Sequence, residues 1–195
     1  MLFGVDSPSG KLTHTFYKAK YVASVPITRM DMRPDPAGDY PGRTYRFVDT
    51  DFVLYPFGHG LSYHKWKVDW AKAEEEHRRR LEEGPDAFAE CSMGVKVTLS
   101  SPANKRFGTP STSVLLFLAP PSGADKGAPK RMLADFDRVS GAGGLATFKL
   151  KRGHFELADA SGEFGLVEGT WKVTVNEPAE LTHDITVTSS GCKLA

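Results

Sequence analysis

From residue 61 onward the hydrophobic positions follow a period of two. Leu61 and Tyr63 alternate with polar neighbours, and Trp66, Val68 and Trp70 continue against Lys65, Lys67 and Asp69. Such alternation with aromatics predicts a β-strand with one buried face. Residues 71–83 change character: they are strong helix formers, with Glu74–Arg78, Glu75–Arg79 and Glu76–Arg80 in acid-first i,i+4 order. They lack an apolar face, and Gly84-Pro85 stops them. The expectation is a solvated, charged helical insertion, with a partner-binding helix as the sharper alternative. From residue 92 the two-residue period returns. Met93, Val95, Val97 and Leu99 alternate, and Ser113–Leu118 is a continuous apolar run. Leu133, Phe136 and Val139 follow, then Leu145, Thr147 and Leu150 with Phe148 across the strand. Trp171, Val173 and Val175, and finally Ile185 and Val187, complete the set. Clusters of Gly, Pro, Ser and Asn separate these runs, and Gly141-Ala142-Gly143-Gly144 is expected to be a hairpin loop. About seven short strands between residues 61 and 190 predict an immunoglobulin-like β-sandwich.

Residues 1–60 show no such order. Pro8, Gly10, Pro26, Pro34, Pro36, Gly38, Pro41, Gly42, Pro56, Gly58 and Gly60 interrupt short apolar pieces such as Phe16-Tyr17 and Val22–Ile27. Prolines at this density forbid long helices and break strand ladders. The expectation is an extended, ordered loop that lies on another surface and builds no core of its own. A structureless run of this length in a compact domain implies a supporting domain elsewhere.

Composition narrows the partners. Of 195 residues, 40% are hydrophobic, sufficient for a packed core, and 25 basic against 24 acidic residues leave a net charge of +1. That balance argues against nucleic acid, which selects a basic excess, and against an anionic membrane surface. No apolar run approaches the roughly 18 residues of a membrane span, and the N-terminus has no signal-peptide pattern. Cys91 and Cys192 fit no zinc or redox spacing; they can bridge in an oxidising compartment, but their spacing does not require it. His59 and His64 have no third ligand at metal spacing, so no metal or other cofactor is expected.

Three motifs carry a resemblance. Pro8-Ser9-Gly10-Lys11-Leu12 with Thr15-Phe16-Tyr17 is similar to the N-P-S-G-R-L-P-x-T-x-Y stretch of glycoside hydrolase family 3. Leu54-Tyr55-Pro56-Phe57-Gly58-His59-Gly60-Leu61-Ser62-Tyr63 matches that family's Y-P-F-G-x-G-L-S-Y almost letter for letter. Val25–Pro34 and Tyr40–Phe47 resemble its plant and fungal β-xylosidase branch. More loosely, Val114–Leu118 and Pro129–Val139 resemble its fibronectin type III-like C-terminal domain, with Ala134-Asp135 where Val-Gly is commoner. The resemblance implies a mainly β chain: residues 1–60 as the loop-rich remnant of an α/β sandwich domain and linker, and residues 61–190 as the fibronectin type III-like sandwich.

It also implies a chemistry and its location. Family members hydrolyse β-linked sugars with two carboxyl groups. The nucleophilic Asp lies in a barrel domain and the acid/base Glu earlier in the α/β domain, both upstream of residue 1. No catalytic residue is therefore expected here: of Asp6, Asp31, Asp35, Asp39, Asp49 and Asp51 several lie beside Pro or Gly in turn-like stretches, and Asp35, between two prolines, reads as a turn former. Arg33 and Arg43 can donate paired hydrogen bonds to hydroxyls or a carboxylate, or pair with Asp35, Asp39 or Asp49; Tyr45 can stack on a sugar ring. Tyr55, Phe57, Gly58, Gly60 and Tyr63 form an expected interdomain turn. The implied function is the C-terminal portion of a glycosidase acting on β-xylose or related sugars. The alternative is a non-catalytic interaction module or a subunit of a larger assembly. The implied partners are the missing catalytic domains, or a separate protein covering residues 1–60, and oligosaccharide if the parent is intact. An intact parent would be extracellular or vacuolar.

Overall fold

The computed structural model describes residues 3, 5–71, 91, 93–100, 107–125, 127–176 and 179–194. The expected charged helix at 71–83 lies, but for Ala71, outside the described residues. The C-terminal two thirds is a sandwich of two antiparallel sheets. One sheet contains β3 (Trp66–Trp70), β4 (Met93–Leu99) and β7 (Gly143–Phe148), in the order β3-β4-β7. The other comprises β5 (Ser111–Ala119), β6 (Met132–Ser140), β10 (Gly169–Val175), β11 (Leu181–Thr188) and β12 (Gly191–Leu194), in the order β12-β11-β10-β5-β6. A small hairpin, β8 (Glu156–Ala158) with β9 (Phe164–Leu166), stands outside both. Among the described residues the main sheets thus hold eight strands rather than about seven, and the first begins at Trp66 rather than Leu61.

Alternation explains most of the core. Val95 and Val97, Val114, Leu116 and Leu118, Trp171, Val173 and Val175, and Ile185 and Val187 point into one interior. Trp66 and Trp70 pack against it half-buried. The continuous apolar run on β5 has a separate cause. Val114, Leu116 and Leu118 face the opposite sheet, while Leu115 and Phe117 are also buried, on the other face. A central strand covered on both sides needs apolar residues at every position.

Two strand expectations are corrected. On β6 the register against β5 slips between Leu116 and Phe117, which pair with Asp135 and Leu133, leaving Ala134 as the extra residue of a bulge. Phe136 pairs with the outward-facing Leu115 and is 68% exposed, whereas Val139, three positions on and on the other face, is buried. On β7 the buried face is Ala146 and Phe148, continued by Leu150, and Leu145 turns out to solvent. The glycine-rich loop at 141–144 is not a hairpin either: β6 pairs with β5 and β7 with β4, so the chain changes sheets there. Gly143, at φ 150°, crosses so close that a Cβ would stand 2.5 Å from the Val97 carbonyl oxygen. Side chains bridge the corner instead of a ladder, since Thr147 N–H donates to Asp137 Oδ2 at 3.0 Å and Lys149 N–H to Asp135 Oδ2 at 3.3 Å.

Cys91 and Cys192 are bonded, with Cα atoms 5.8 Å apart. Strand pairing of β12 onto β11 sets Cys192 opposite Val187, at the edge of the core where Cys91 is fully buried.

Residues 1–60 do contain a small core, contrary to expectation. Short helices α1 (Ala19–Ser24) and α2 (Thr44–Phe47) and the ladder of β1 (Phe16–Tyr17) with β2 (Val53–Tyr55) enclose Tyr21, Val25, Tyr40 and Val48. Tyrosines make this possible without periodicity. Tyr17 and Tyr21 stack at 3.8 Å and 8°, and the Tyr21 hydroxyl donates to the Gly42 carbonyl at 2.9 Å. The Tyr40 hydroxyl donates to the Asp31 carbonyl. Each ring buries apolar area while its hydroxyl satisfies a loop carbonyl that no helix or sheet would reach.

Candidate functional site

The two strongest sequence motifs meet in space. Gly58 N–H donates to the Leu12 carbonyl and Leu12 N–H to the His59 carbonyl, both at 2.8 Å. Gly58 adopts φ 83°, and a Cβ on Gly60 would stand 2.6 Å from the Gly10 carbonyl oxygen, so both positions demand glycine. Ser7 Oγ accepts from Tyr63 N–H at 3.0 Å, and the Tyr63 ring leans on Phe107 at 5.0 Å. Tyr55 meets the edge of Phe16 at 6.2 Å. Arg138, from β6, donates to Ser9 Oγ and Ser111 Oγ at 2.9 Å each. The segment is thereby tied to the sandwich by backbone, hydroxyl and ring contacts together.

A second junction lies on the outer face of β5. Tyr45 stacks on Phe57 at 4.4 Å, and both present edges to Phe117, at 5.8 and 6.0 Å. The Tyr45 hydroxyl accepts from Leu133 N–H at 3.0 Å, at the β6 bulge. One face of the Tyr45 ring is thus occupied by Phe57 and its hydroxyl by the sheet. Arg43 is likewise engaged internally: its guanidinium donates to the Pro26 carbonyl at 3.4 Å and to the Arg29 carbonyl. Sequence reasoning missed Arg29. It pairs with Asp31 at 3.0 Å and Asp35 at 2.9 Å and lies 4.0 Å from the Tyr40 ring centre. Its signal was present, because two acids follow it closely in a turn-rich stretch.

Arg33 goes elsewhere, to a cleft of about 540 Å³ between the N-terminal segment and the sandwich. Arg33, Arg46 and Phe47 form one wall, the β5–β6 loop around Gly127 the floor, and the β8–β9 hairpin the far wall. The backbone holds the walls together, as Lys130 N–H donates to the Arg46 carbonyl at 2.7 Å.

Among the described residues three carboxyl groups depart from the ordinary range, and all move down. Asp35 is lowered by the Arg29 bond first and then by Gly38 N–H. Asp49 is lowered by Asp51 N–H and then by the Lys130 charge, and Asp159 by Ser161 and Glu163. A general acid at neutral pH needs the opposite shift. Lys11 is also lowered, chiefly by burial, with the Glu180 charge opposing. Among the described residues no cluster of His, Cys, Asp and Glu could hold a metal ion, and no helix is long and apolar enough to cross a membrane.

Similarity to known proteins runs along nearly the whole chain. No protein-family model matches it. A β-xylosidase/α-L-arabinofuranosidase of Medicago sativa subsp. varia is 33% identical over 96% of this chain and 25% of its own length. A second from the same plant is 38% identical over 77% of this chain and 21% of its own. A probable exo-1,4-β-xylosidase of Aspergillus terreus is 30% identical over 90% and 22%. Among solved structures, a family 3 exo-β-xylosidase in complex with a xylobiose aziridine probe superposes with a TM-score of 0.76. It is 19% identical and covers 97% of this chain and 25% of that one. A β-D-glucoside glucohydrolase from Trichoderma reesei gives 0.66 at 22% identity, covering 96% and 28%. The chain therefore spans about a quarter of the length of the curated relatives it matches. With the motif pair in contact, a mainly β fold shared with these enzymes and relatives aligned almost end to end, the chain belongs to glycoside hydrolase family 3 and corresponds to a C-terminal part of its β-xylosidase-like members.

Proposed function

We propose that this chain is the non-catalytic C-terminal section of a glycosidase that releases β-linked xylose or a related sugar from cell-wall oligosaccharides, and that alone it turns over no glycoside. One observation carries the reading. Residues 3–63 expose Val22, Ile27, Met30, Leu54 and Leu61 as well as Phe3, each more than half accessible, although the same segment is firmly anchored to the sandwich on its other side. A rigid surface rich in free apolar side chains is suited to a permanent neighbour. The neighbour proposed is the remainder of a family 3 enzyme, which carries the catalytic carboxylates. The names of the relatives support the substrate class. A buried disulfide suits the oxidising, extracellular or vacuolar compartment of such a parent. Under the same reading Tyr55, Phe57, Gly58, Gly60 and Tyr63 serve as the interdomain turn, and Tyr45 holds that turn in place through Phe57.

The test has two parts. The isolated chain is incubated with 4-nitrophenyl β-D-xyloside, and no nitrophenol release above buffer is expected. The natural protein is sized by blotting with an antibody to the sandwich, and a band several times larger than this chain is expected. Turnover by the chain, or a natural product of this size alone, refutes the reading.

A further inference from the structure

We infer that a second cavity, enclosed by residues 9–11, residues 60–62 and the neighbouring rim of the sandwich, binds a neutral sugar ring through its hydroxyl groups. The demand for hydroxyls rests on the cavity itself; their assignment to a sugar rests on the proposed glycosidase origin.

This cavity measures about 340 Å³. Lys11 and its neighbours form one side, and His64, Trp66 and Val68, with Asn176 and Glu180 of the β10–β11 turn, form the other. His64 is 7% exposed and Val68 is buried, whereas Leu61, Ser62 and Glu180 stand exposed at the rim. Buried polar atoms in folded proteins are nearly always hydrogen-bonded. Among the described residues four side-chain atoms break this rule, and two of them, His64 Nε2 and Trp66 Nε1, belong to residues lining this one cavity. The volume is about ten times the roughly 30 Å³ share of a single water and lies within the range of small-molecule sites.

The charged groups of the lining balance. Beside His64 they are Lys11 and Glu180, one cation against one carboxylate, and the Glu180 charge acts on the Lys11 amine. The fold places both. A Cβ on Gly60 would stand 2.9 Å from Lys11 Cδ, so the lysine stem lies directly over the glycine. Glu180 Oε1 accepts from Asn176 Nδ2 at 2.8 Å, and Asn176 Oδ1 accepts from Leu115 N–H at 3.1 Å. Among the described residues no hydrogen bond engages the Lys11 amine or Glu180 Oε2. The indole N–H and the ammonium can only donate, Glu180 Oε2 can only accept, and His64 Nε2 takes either role with its tautomer. A carboxylate ligand would suit the donors and be repelled by Glu180, and an amine would do the reverse. Hydroxyls both donate and accept, so a neutral ring carrying several of them answers every group at once.

NMR titration of the full 195-residue chain, isotope-labelled, with D-xylose, xylobiose and sodium acetate tests this. The readout is the Trp66 indole N–H resonance, identified by its loss in Trp66→Phe. D-xylose is expected to shift it with a Kd of about 1–10 mM. The Trp171 indole, whose N–H already donates to the Val167 carbonyl at 2.9 Å, should not respond, and acetate should move neither. Tighter binding of xylobiose than of xylose identifies the end ring of a chain as the ligand, and weaker binding a free monosaccharide; either is a sugar ring in this site. Glu180→Gln keeps the acceptor for Asn176 and turns the second oxygen into a donor, and Lys11→Met keeps the stem without the amine. Each should weaken xylose binding at least about tenfold with little change in the thermal transition, whereas Arg46→Ala, in the other cleft, should leave binding as it was. An unmoved Trp66 resonance at ten times the expected Kd, acetate binding as tightly as xylose, or undiminished xylose binding by both Glu180→Gln and Lys11→Met each overturns the inference. None of these outcomes depends on whether the chain turns over a xyloside or on the size of the natural protein, so the two readings fail separately.

Discussion

Removing the bond between Cys91 and Cys192 perturbs the fold most strongly and most measurably. The two residues are 101 positions apart, so the bond closes most of the sandwich into one loop. Loop-closure entropy for about 100 residues is worth about 4.7 kcal/mol at 25 °C. Replacing both cysteines with Ala leaves no buried hydroxyl behind and adds only a small packing loss, so the entropic figure dominates. A domain of this kind holds about 5–15 kcal/mol in total, so the variant keeps a small margin or none. Urea unfolding followed by tryptophan fluorescence reads the transition, because Trp171 is fully buried in the core. With a slope of about 2 kcal/mol per molar, the midpoint is expected to fall by about 2 M. Wild-type protein unfolded and refolded in excess reductant should show the same fall, which ties the effect to the bond rather than to the substitution. A midpoint shift under about 0.5 M in both experiments would refute the reasoning, since a closed loop of this length cannot cost so little.

Other expectations follow from the anchoring contacts. Tyr45→Ala removes the stack on Phe57 and the acceptor for Leu133 N–H, and should cost about 2–3 kcal/mol, whereas Tyr45→Phe should cost about 1 kcal/mol; chemical denaturation of the three proteins separates ring from hydroxyl. Gly60→Ala drives a methyl to 2.6 Å from the Gly10 carbonyl oxygen and should destabilise the turn by about 1–3 kcal/mol, read as faster proteolysis between residues 1 and 65 with the sandwich surviving. The Asp35 carboxyl is held below its ordinary value by Arg29, so its contribution is present above about pH 4 and is lost as pH falls through the lower folded value. Asp35→Asn should therefore lower stability at pH 7 and cost progressively less as the pH falls below the ordinary carboxylate range, and an equal loss across that range would show that the charge is not responsible.

Much of the fold was legible along the chain. Alternation at Met93–Leu99, Trp171–Val175 and Ile185–Val187 identified real strands and their inward faces, because one buried face imposes a two-residue period on any strand. The motif Leu54–Tyr63 announced a turn whose glycines are forced by a positive φ at Gly58 and by close approach of Gly60 to the Gly10 carbonyl. Of the candidate side chains, Arg33 lines a cleft, Arg43 is engaged within the N-terminal segment, and Tyr45 helps hold that segment to the sandwich. Arg46 carried no local mark distinguishing it from Arg43, three residues away, because what separates them is which one meets the β8–β9 hairpin.

The sequence by itself determined what short-range physics determines: a β-rich core, turn chemistry at glycine and proline, a near-neutral surface and membership of a family through its motifs. Tertiary structure alone decided the rest. It alone placed Phe136 and Leu145 in solvent, by settling which face of each strand meets the opposite sheet. Only the tertiary fold brought Cys91 to Cys192 across 101 residues and gathered tyrosines from a strand, a helix and a loop bridge into a second small core. The physical reason is common to all three. Each depends on which distant segment lies opposite, and a one-residue slip in pairing, invisible to local periodicity, reverses every side chain beyond it.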